Sequence, residues 1–123
     1  MISIVVPSRN RRVNLLNTVD ALVNQSVDKD QYEIIISDDN SDDGSFEVYT
    51  QYKDSRRLKY VNNNTKPHSW NASIVRNLGA MVADPDTKAY IFVDSDVVLP
   101  RTAIETYLAD LSEGLKGYTY LED

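Results

Sequence analysis

Four short runs of branched or apolar residues, each broken off by a polar cluster, alternate in this chain with stretches whose apolar residues recur every three or four positions. Such short apolar runs read as strands, and the three- and four-residue stripes read as helices. Strands that take turns with helices pair in parallel through right-handed crossovers, which buries the sheet on both faces. The expected strands are Ile2 to Val6, Tyr32 to Ser37, a weaker Leu58 to Val61, and Ala89 to Val93. The first helix carries Val13, Leu16, Val19, Leu22 and Val23 inward with Asn10 as its N-cap, and the second carries Phe46, Tyr49 and Tyr52 behind Ser41. Trp70, Ile74, Leu78 and Met81 mark a third, and Ile104, Tyr107, Leu108 and Leu111 a fourth that Pro100 opens and Gly114 stops. The tail LKGYTYLED reads as one more short strand. The expected fold is α/β, a three-layer sandwich around a mostly parallel, Rossmann-like sheet.

Size allows one such unit. At 123 residues and 41% hydrophobic, the chain suits a single domain with a real core. It has no cysteine, so its chemistry runs on oxygen and nitrogen groups, with no disulfide frame and no thiolate metal site. A formal charge of −6 argues against nucleic acid as a partner and favours a cation. No apolar stretch approaches the roughly 20 residues of a membrane span. The start MISIVVPSRN lacks the basic region and cleavage site of a secretory signal, and a cytoplasmic setting is expected.

In open parallel sheets, ligands bind beyond the carboxyl ends of the strands. Polar clusters stand at all four of those ends: SRN, DDNSDDG, NNNTK and DSD. In the stretch YIFVDSDVVLP, Asp94 and Asp96 flank Ser95, so an extended chain points both carboxylates the same way, where Mg²⁺ or Mn²⁺ could be held. Aspartate also favours the turn at a strand end without binding anything. The acidic turn of Asp38, Asp39, Asp42 and Asp43 could receive an N–H of a nucleotide base, or simply be a solvated turn. Asp39, Ser41, Asp43 and Gly44 also match the first half of a calcium-binding EF-hand loop. That match fails where Thr50 replaces the bidentate glutamate and where a strand precedes the loop. Arg76 has two readings, a phosphate clamp or an ion pair with the acidic rim. His68, the single histidine, lies in a loop and receives no role.

Taken together, ISIVVPSRNR, YEIIISDDNSDDGS, VRNLGA and YIFVDSDVVLP resemble, in order and spacing, the donor-binding half of family 2 glycosyltransferases of the GT-A, nucleotide-diphospho-sugar transferase fold. The resemblance implies a UDP- or GDP-sugar donor, a Mg²⁺ or Mn²⁺ cofactor, and transfer with inversion to an acceptor hydroxyl, most naturally of a glycan or polysaccharide. It implies nucleotide-binding roles for Pro7, Ser8, Arg9, Asp38, Asp39, Arg76, Asp94 and Ser95. Asp39 would take the base, Arg76 would lie near the diphosphate, and Asp96 with Asp94 would hold the metal. In that family the acceptor site and the catalytic base follow the D-x-D segment, and no base is identified in this chain. Residues 1–123 are therefore expected to be one donor-binding domain cut before the acceptor half, with an exposed seam that favours self-association. A non-catalytic nucleotide-sugar-binding module is the alternative. DSDVV is also similar to the nucleophile loop of haloacid dehalogenase-type phosphatases, although that loop normally follows an early strand.

Overall fold

The computed structural model describes residues 1–55, 57–64 and 72–112. Four strands run in parallel: β1 (Ile2–Ser8), β2 (Tyr32–Asp38), β3 (Leu58–Asn62) and β4 (Ala89–Phe92). Their order across the sheet is β3-β2-β1-β4. The chain therefore builds outward from β1 on one side, then crosses back to place β4 on the other. The helices described between and after them are α1 (Arg12–Val23), α2 (Phe46–Tyr52), α3 (Ala72–Met81) and α4 (Ala103–Ser112), with a 3-10 turn at Lys29–Gln31.

β1 extends through Pro7, beyond its expected end at Val6. The carbonyl of Val5 accepts from the Val93 N–H, so the odd residues of β1 face β4 in the ladder. Pro7 stands two residues on, past the last β1–β4 pair at Val5 and Phe92, so its missing N–H costs no strand pairing.

The strand pleat sorts the core. Ile2, Ile4, Val6, Tyr32, Ile34, Ile36 and Ile91 meet Leu15, Leu22, Val48, Ile104 and Tyr107, which places α1, α2 and α4 on one face. Each such side chain contributes about 1.5–3 kcal/mol by leaving water. Among the described elements, only α3 covers the opposite face. A Cβ built on Gly79 would stand 2.5 Å from Cγ1 of Val5, and the Ser37 hydroxyl donates to the Val75 carbonyl at 2.6 Å. On this face of edge strand β4, Tyr90 and Phe92 remain 47% and 38% exposed.

Three expected helix faces are turned, that of α2 among them, where Val48 is the buried residue and Phe46 stays 50% exposed. In α1, Val13 is exposed, and Leu15 and Thr18 join Val19, Leu22 and Val23 in the interior. In α3 the buried residues are Val75 and Gly79, and Ile74 and Met81 point outward at 50% and 80% exposure. Close approach of helix to sheet requires the smallest residue at the contact, so the largest apolar residues of α3 do not mark its inner face. Neither expected cap holds. Arg11 occupies the N-cap position of α1 and Ser45 that of α2, each without a capping side-chain bond. α4 keeps Ile104 and Tyr107 inside, as expected. Trp70, Gly114 and the expected strand in LKGYTYLED lie outside the described residues.

At the amino end of the sheet Glu33 is buried on the α3 face. It accepts from the Ser3 hydroxyl at 2.5 Å, the Asp84 N–H at 2.7 Å and Lys59 Nζ at 2.9 Å. Lys59 also donates to the Val82 carbonyl at 2.9 Å. Burial pushes the Glu33 carboxyl up, but these bonds outweigh it and hold it below its ordinary pKa. The network joins β1, β2 and β3 to the α3–β4 connection, at the end opposite the polar rim.

Candidate functional site

At the carboxyl end, the strands deliver their polar clusters to one rim. β2 finishes in Asp38, and the following residue, Asp39, is fully buried. Its Oδ1 accepts from Asn63 Nδ2 at 3.0 Å, just past β3, and its Oδ2 lies 3.5 Å from Arg9 Nη1, just past β1. Three strand ends thus converge on one carboxylate.

Asp38 has a different environment. Oδ1 accepts from the Ser41 hydroxyl, and Oδ2 from the Ser41 N–H and the Tyr60 hydroxyl, at 2.5, 3.1 and 2.7 Å. Burial raises the Tyr60 pKa, and the Asp38 and Asp43 charges raise it further. Asp38 therefore shapes the turn from within.

That turn is stitched to the β1 loop. Asn10 and Asn40 both take the left-handed conformation, at φ 50 and 56, which asparagine tolerates better than most residues. The Asn10 N–H donates to Ser41 Oγ at 2.8 Å, and Asn10 Oδ1 accepts from the Asp42 N–H at 2.9 Å. The Arg12 N–H donates to Asp43 Oδ2 at 2.9 Å, and the Ser45 hydroxyl to Asp43 Oδ1 at 2.5 Å. Burial acts upward on Asp43, but these bonds leave its pKa lowered. With its oxygens turned to Ser45 and Arg12, Asp43 is a brace between loops. Among the described residues, no three Asp, Glu, His or Cys groups gather as a ready-made cation cage.

The DSD segment is a turn, not the extended chain expected. The Val97 N–H donates to the Asp94 carbonyl at 3.1 Å. Ser95 turns inward, and its carbonyl accepts from the buried Thr18 hydroxyl of α1 at 2.9 Å. Asp94 and Asp96 remain outside, with side chains 39% exposed. Arg76 of α3 lies 3.7 Å from Asp94, and Arg11 lies 3.5 Å from Asp96. Arg76 therefore does pair with the acidic rim, in a position from which a phosphate is also within its chemistry.

Chain topology explains why these groups meet. The crossover leaves the end of β1 between the loops that follow β2 and β4, at the carboxyl edge where open parallel sheets bind ligands. Ser8 Oγ and Arg9 Nη1 stand at that end, buried and without a hydrogen-bond partner among the described residues, although Nη1 has its ion pair. Orphaned buried donors are rare and suit a polar ligand. The donor chemistry of Asp94 and Asp96 suits a hard cation, since Mg²⁺ is commonly held by one or two carboxylates and completed by substrate phosphates. Sequence reasoning missed Arg11, Asn63 and Thr18. Asn63 had a signal in the NNNTK cluster, and Thr18 in being polar on an otherwise apolar stripe.

The structure of TarS from S. aureus, spanning 1–349, superposes with a TM-score of 0.83 at 24% identity, covering 91% of this chain and 32% of that one. A mannosyltransferase from Pyrobaculum calidifontis, in complex with GDP-Man and Mn²⁺, gives a TM-score of 0.69 at 18% identity over 80% of this chain and 28% of that one. Both likenesses establish the GT-A fold. The poly(ribitol-phosphate) beta-N-acetylglucosaminyltransferase TarP of Staphylococcus aureus is 34% identical over 107 residues, 85% of this chain and 31% of the relative. The poly(ribitol-phosphate) beta-glucosyltransferase of Bacillus spizizenii is 37% identical over 103 residues, 84% of this chain and 16% of the relative. This chain thus spans a third or less of these relatives. A family model described as glycosyl transferase family 2 matches residues 3–120. The chain belongs to glycosyl transferase family 2.

Proposed function

We propose that residues 1–123 form the donor-binding domain of a transferase that takes a sugar from a UDP- or GDP-sugar and passes it, with inversion, to a hydroxyl of a glycan or polysaccharide. One observation carries this reading. Asp39, Arg76, Asp94 and Asp96, the positions that the family resemblance marks for base, diphosphate and cation, lie on one rim around the end of β1, each within an ion pair. Asp39, held by Asn63 and Arg9, presents a fixed acceptor for a base N–H. Ser8 and Arg9 donate toward the nucleoside, and Arg76 toward a phosphate. Asp94 and Asp96 would hold Mg²⁺ or Mn²⁺, which offsets the charge growing on the diphosphate as the sugar departs. The acceptor pocket and the base that takes the acceptor proton belong, in this reading, to sequence outside residues 1–123. A structure of TarS in complex with UDP-GlcNAc, with a TM-score of 0.80 at 23% identity, supports a nucleotide-sugar donor. A cytoplasmic setting, where such donors are made, belongs to the same reading. Among the described residues no helix is long and apolar enough to cross a membrane.

The test is titration calorimetry with UDP, GDP and their sugars, with and without Mn²⁺, beside Asp96→Ala. Expected is metal-dependent binding of one nucleotide that weakens at least tenfold in the variant, a loss of about 1.4 kcal/mol. Metal-independent binding, or an unaffected variant, would remove Asp96 from the metal site. A donor bound without transfer or hydrolysis would assign the chain by itself to a binding role.

A further inference from the structure

Three arginines stand within four residues between the end of β1 and the start of α1, and each faces a different carboxylate. Arg9 lies 3.5 Å from Asp39, Arg12 reaches Glu47 at 3.0 Å, and Arg11 lies 3.5 Å from Asp96. Asn10, with its left-handed backbone, separates Arg9 from Arg11. One guanidinium meets the loop after β2, and the other the loop after β4. Arg12 is explained by its place at the start of α1, because its N–H also holds Asp43. Among the described residues Arg11 has no such local partner, and its guanidinium faces Asp96, the carboxylate best suited to a cation.

We propose that Arg11 exchanges partners when the donor binds: it neutralises Asp96 while the rim carries no cation, and it passes to the diphosphate when a divalent cation takes that carboxylate. The inference deepens the donor-site reading and rests on it. Three features carry it.

The first is the looseness of the pair. At 3.5 Å, with side chains 54% and 39% exposed, it lies outside the 2.7–2.9 Å of a tight charge-assisted bond. Exposed pairs of this kind contribute about 0–1 kcal/mol, so a dication displaces the guanidinium at little cost.

The second is the charge count. Asp39, Asp94 and Asp96 face Arg9, Arg76 and Arg11, so these three pairs are together neutral with neither ligand present. A dication alone would leave two positive charges in excess, and a sugar diphosphate alone two negative ones. Only the two together restore balance, provided that all three guanidiniums stay in place. An Arg11 that pairs first with Asp96 and then with phosphate meets that condition at both ends of the exchange.

The third is reach and shape. Arg11 occupies the N-cap position of α1, between the end of β1 and the DSD turn that follows β4. A half-exposed guanidinium there is free to turn, and its planar fork matches two phosphate oxygens, as an ammonium does not.

The experiment is Arg11→Gln, followed in two titrations: Mn²⁺ alone, by the electron paramagnetic resonance signal of the free ion, and UDP or GDP at saturating Mn²⁺, by calorimetry. The exchange predicts opposite movements. Mn²⁺ alone binds several-fold tighter to the variant, because its competitor on Asp96 is gone. The nucleoside diphosphate binds about tenfold weaker, because a charge-assisted contact is lost. Arg11→Lys should restore the Mn²⁺ affinity of the parent and only part of the diphosphate affinity. Unchanged or weaker Mn²⁺ binding by Arg11→Gln overturns the proposal, and so does tighter Mn²⁺ binding with undiminished diphosphate affinity. A misfolded variant would show itself in the urea midpoint, and Arg11→Lys then carries the diphosphate arm of the test, where undiminished affinity overturns the proposal. A parent chain that binds no nucleoside diphosphate with any cation would sink the donor-site reading itself. A parent that binds, beside an indifferent Arg11→Gln, sinks the exchange alone.

Discussion

Glu33 shows how much a single buried charge can be made to do. Its carboxylate, 1% exposed, would be costly to bury alone, yet Ser3, Asp84 and Lys59 each donate to it. Since its pKa in the folded chain lies below the ordinary 4.5, the unfolded chain binds the proton first as acidity rises. The stability it confers is therefore complete above about pH 4.5 and drains as pH falls through the lowered folded value. Glu33→Gln should cost about 1.5–3 kcal/mol at neutral pH, the worth of bonds to a charged group. It should also flatten the fall of stability on acidification, and urea titrations between pH 7 and pH 3 would show both effects. An equally steep acid limb in the variant would assign the pH dependence to other carboxylates. Among the rim residues, those that follow strands directly were legible in the sequence, because a polar group ending an apolar run has few reasons to be there. Arg11 was not. Its meaning depends on Asp96, which lies beyond β4, and only the crossover of β4 to the far side of β1 brings the two together.

At the scale of elements, Gly79 decides how closely α3 approaches the sheet. An alanine in the interior of an exposed helix normally gains about 0.5–1 kcal/mol over glycine. Here the added Cβ would overlap Cγ1 of Val5 at 2.5 Å and press on Ser37 at 3.3 Å, and overpacking costs about 1–3 kcal/mol. The steric term is the larger. Gly79→Ala should lower stability, and because α3 also carries Arg76, it should weaken nucleotide binding as well. A urea midpoint at or above that of the parent would show that the helix can withdraw without loss. The same contact explains why the order of elements was readable while the inner face of α3 was not. Hydrophobic periodicity reports where large apolar side chains recur, and it is silent where the interior face is a valine and a glycine. α1 shows a milder form of the same effect. Thr18, polar but buried, takes an inward position to hold the Ser95 carbonyl, and Val13 stays outside.

Over the whole molecule, parallel pairing places sequence-distant strands side by side. β1 lies between β2 and β4, and its partner for Ile2 on the β4 side is Ala89. Stability should be graded accordingly. Amides of Ile34 to Ile36, in a strand paired on both sides and buried throughout, should resist hydrogen exchange longest. Those of Tyr90 to Phe92, in a four-residue edge strand with one face half-open, should exchange first among the strands. Exchange followed by mass spectrometry would check this, and uniform protection would mean that the sheet opens only as a unit. The gradient also has a consequence in time. A chain emerging from the ribosome has Arg9, Asp39 and Asn63 in hand well before Asp94 and Asp96 appear. Closing β4 onto β1 is moreover the kind of long-range parallel pairing that is slow to form. The rim is thus assembled in order, the Asp39 end first, and the two exposed carboxylates of the DSD turn fall into place when β4 docks.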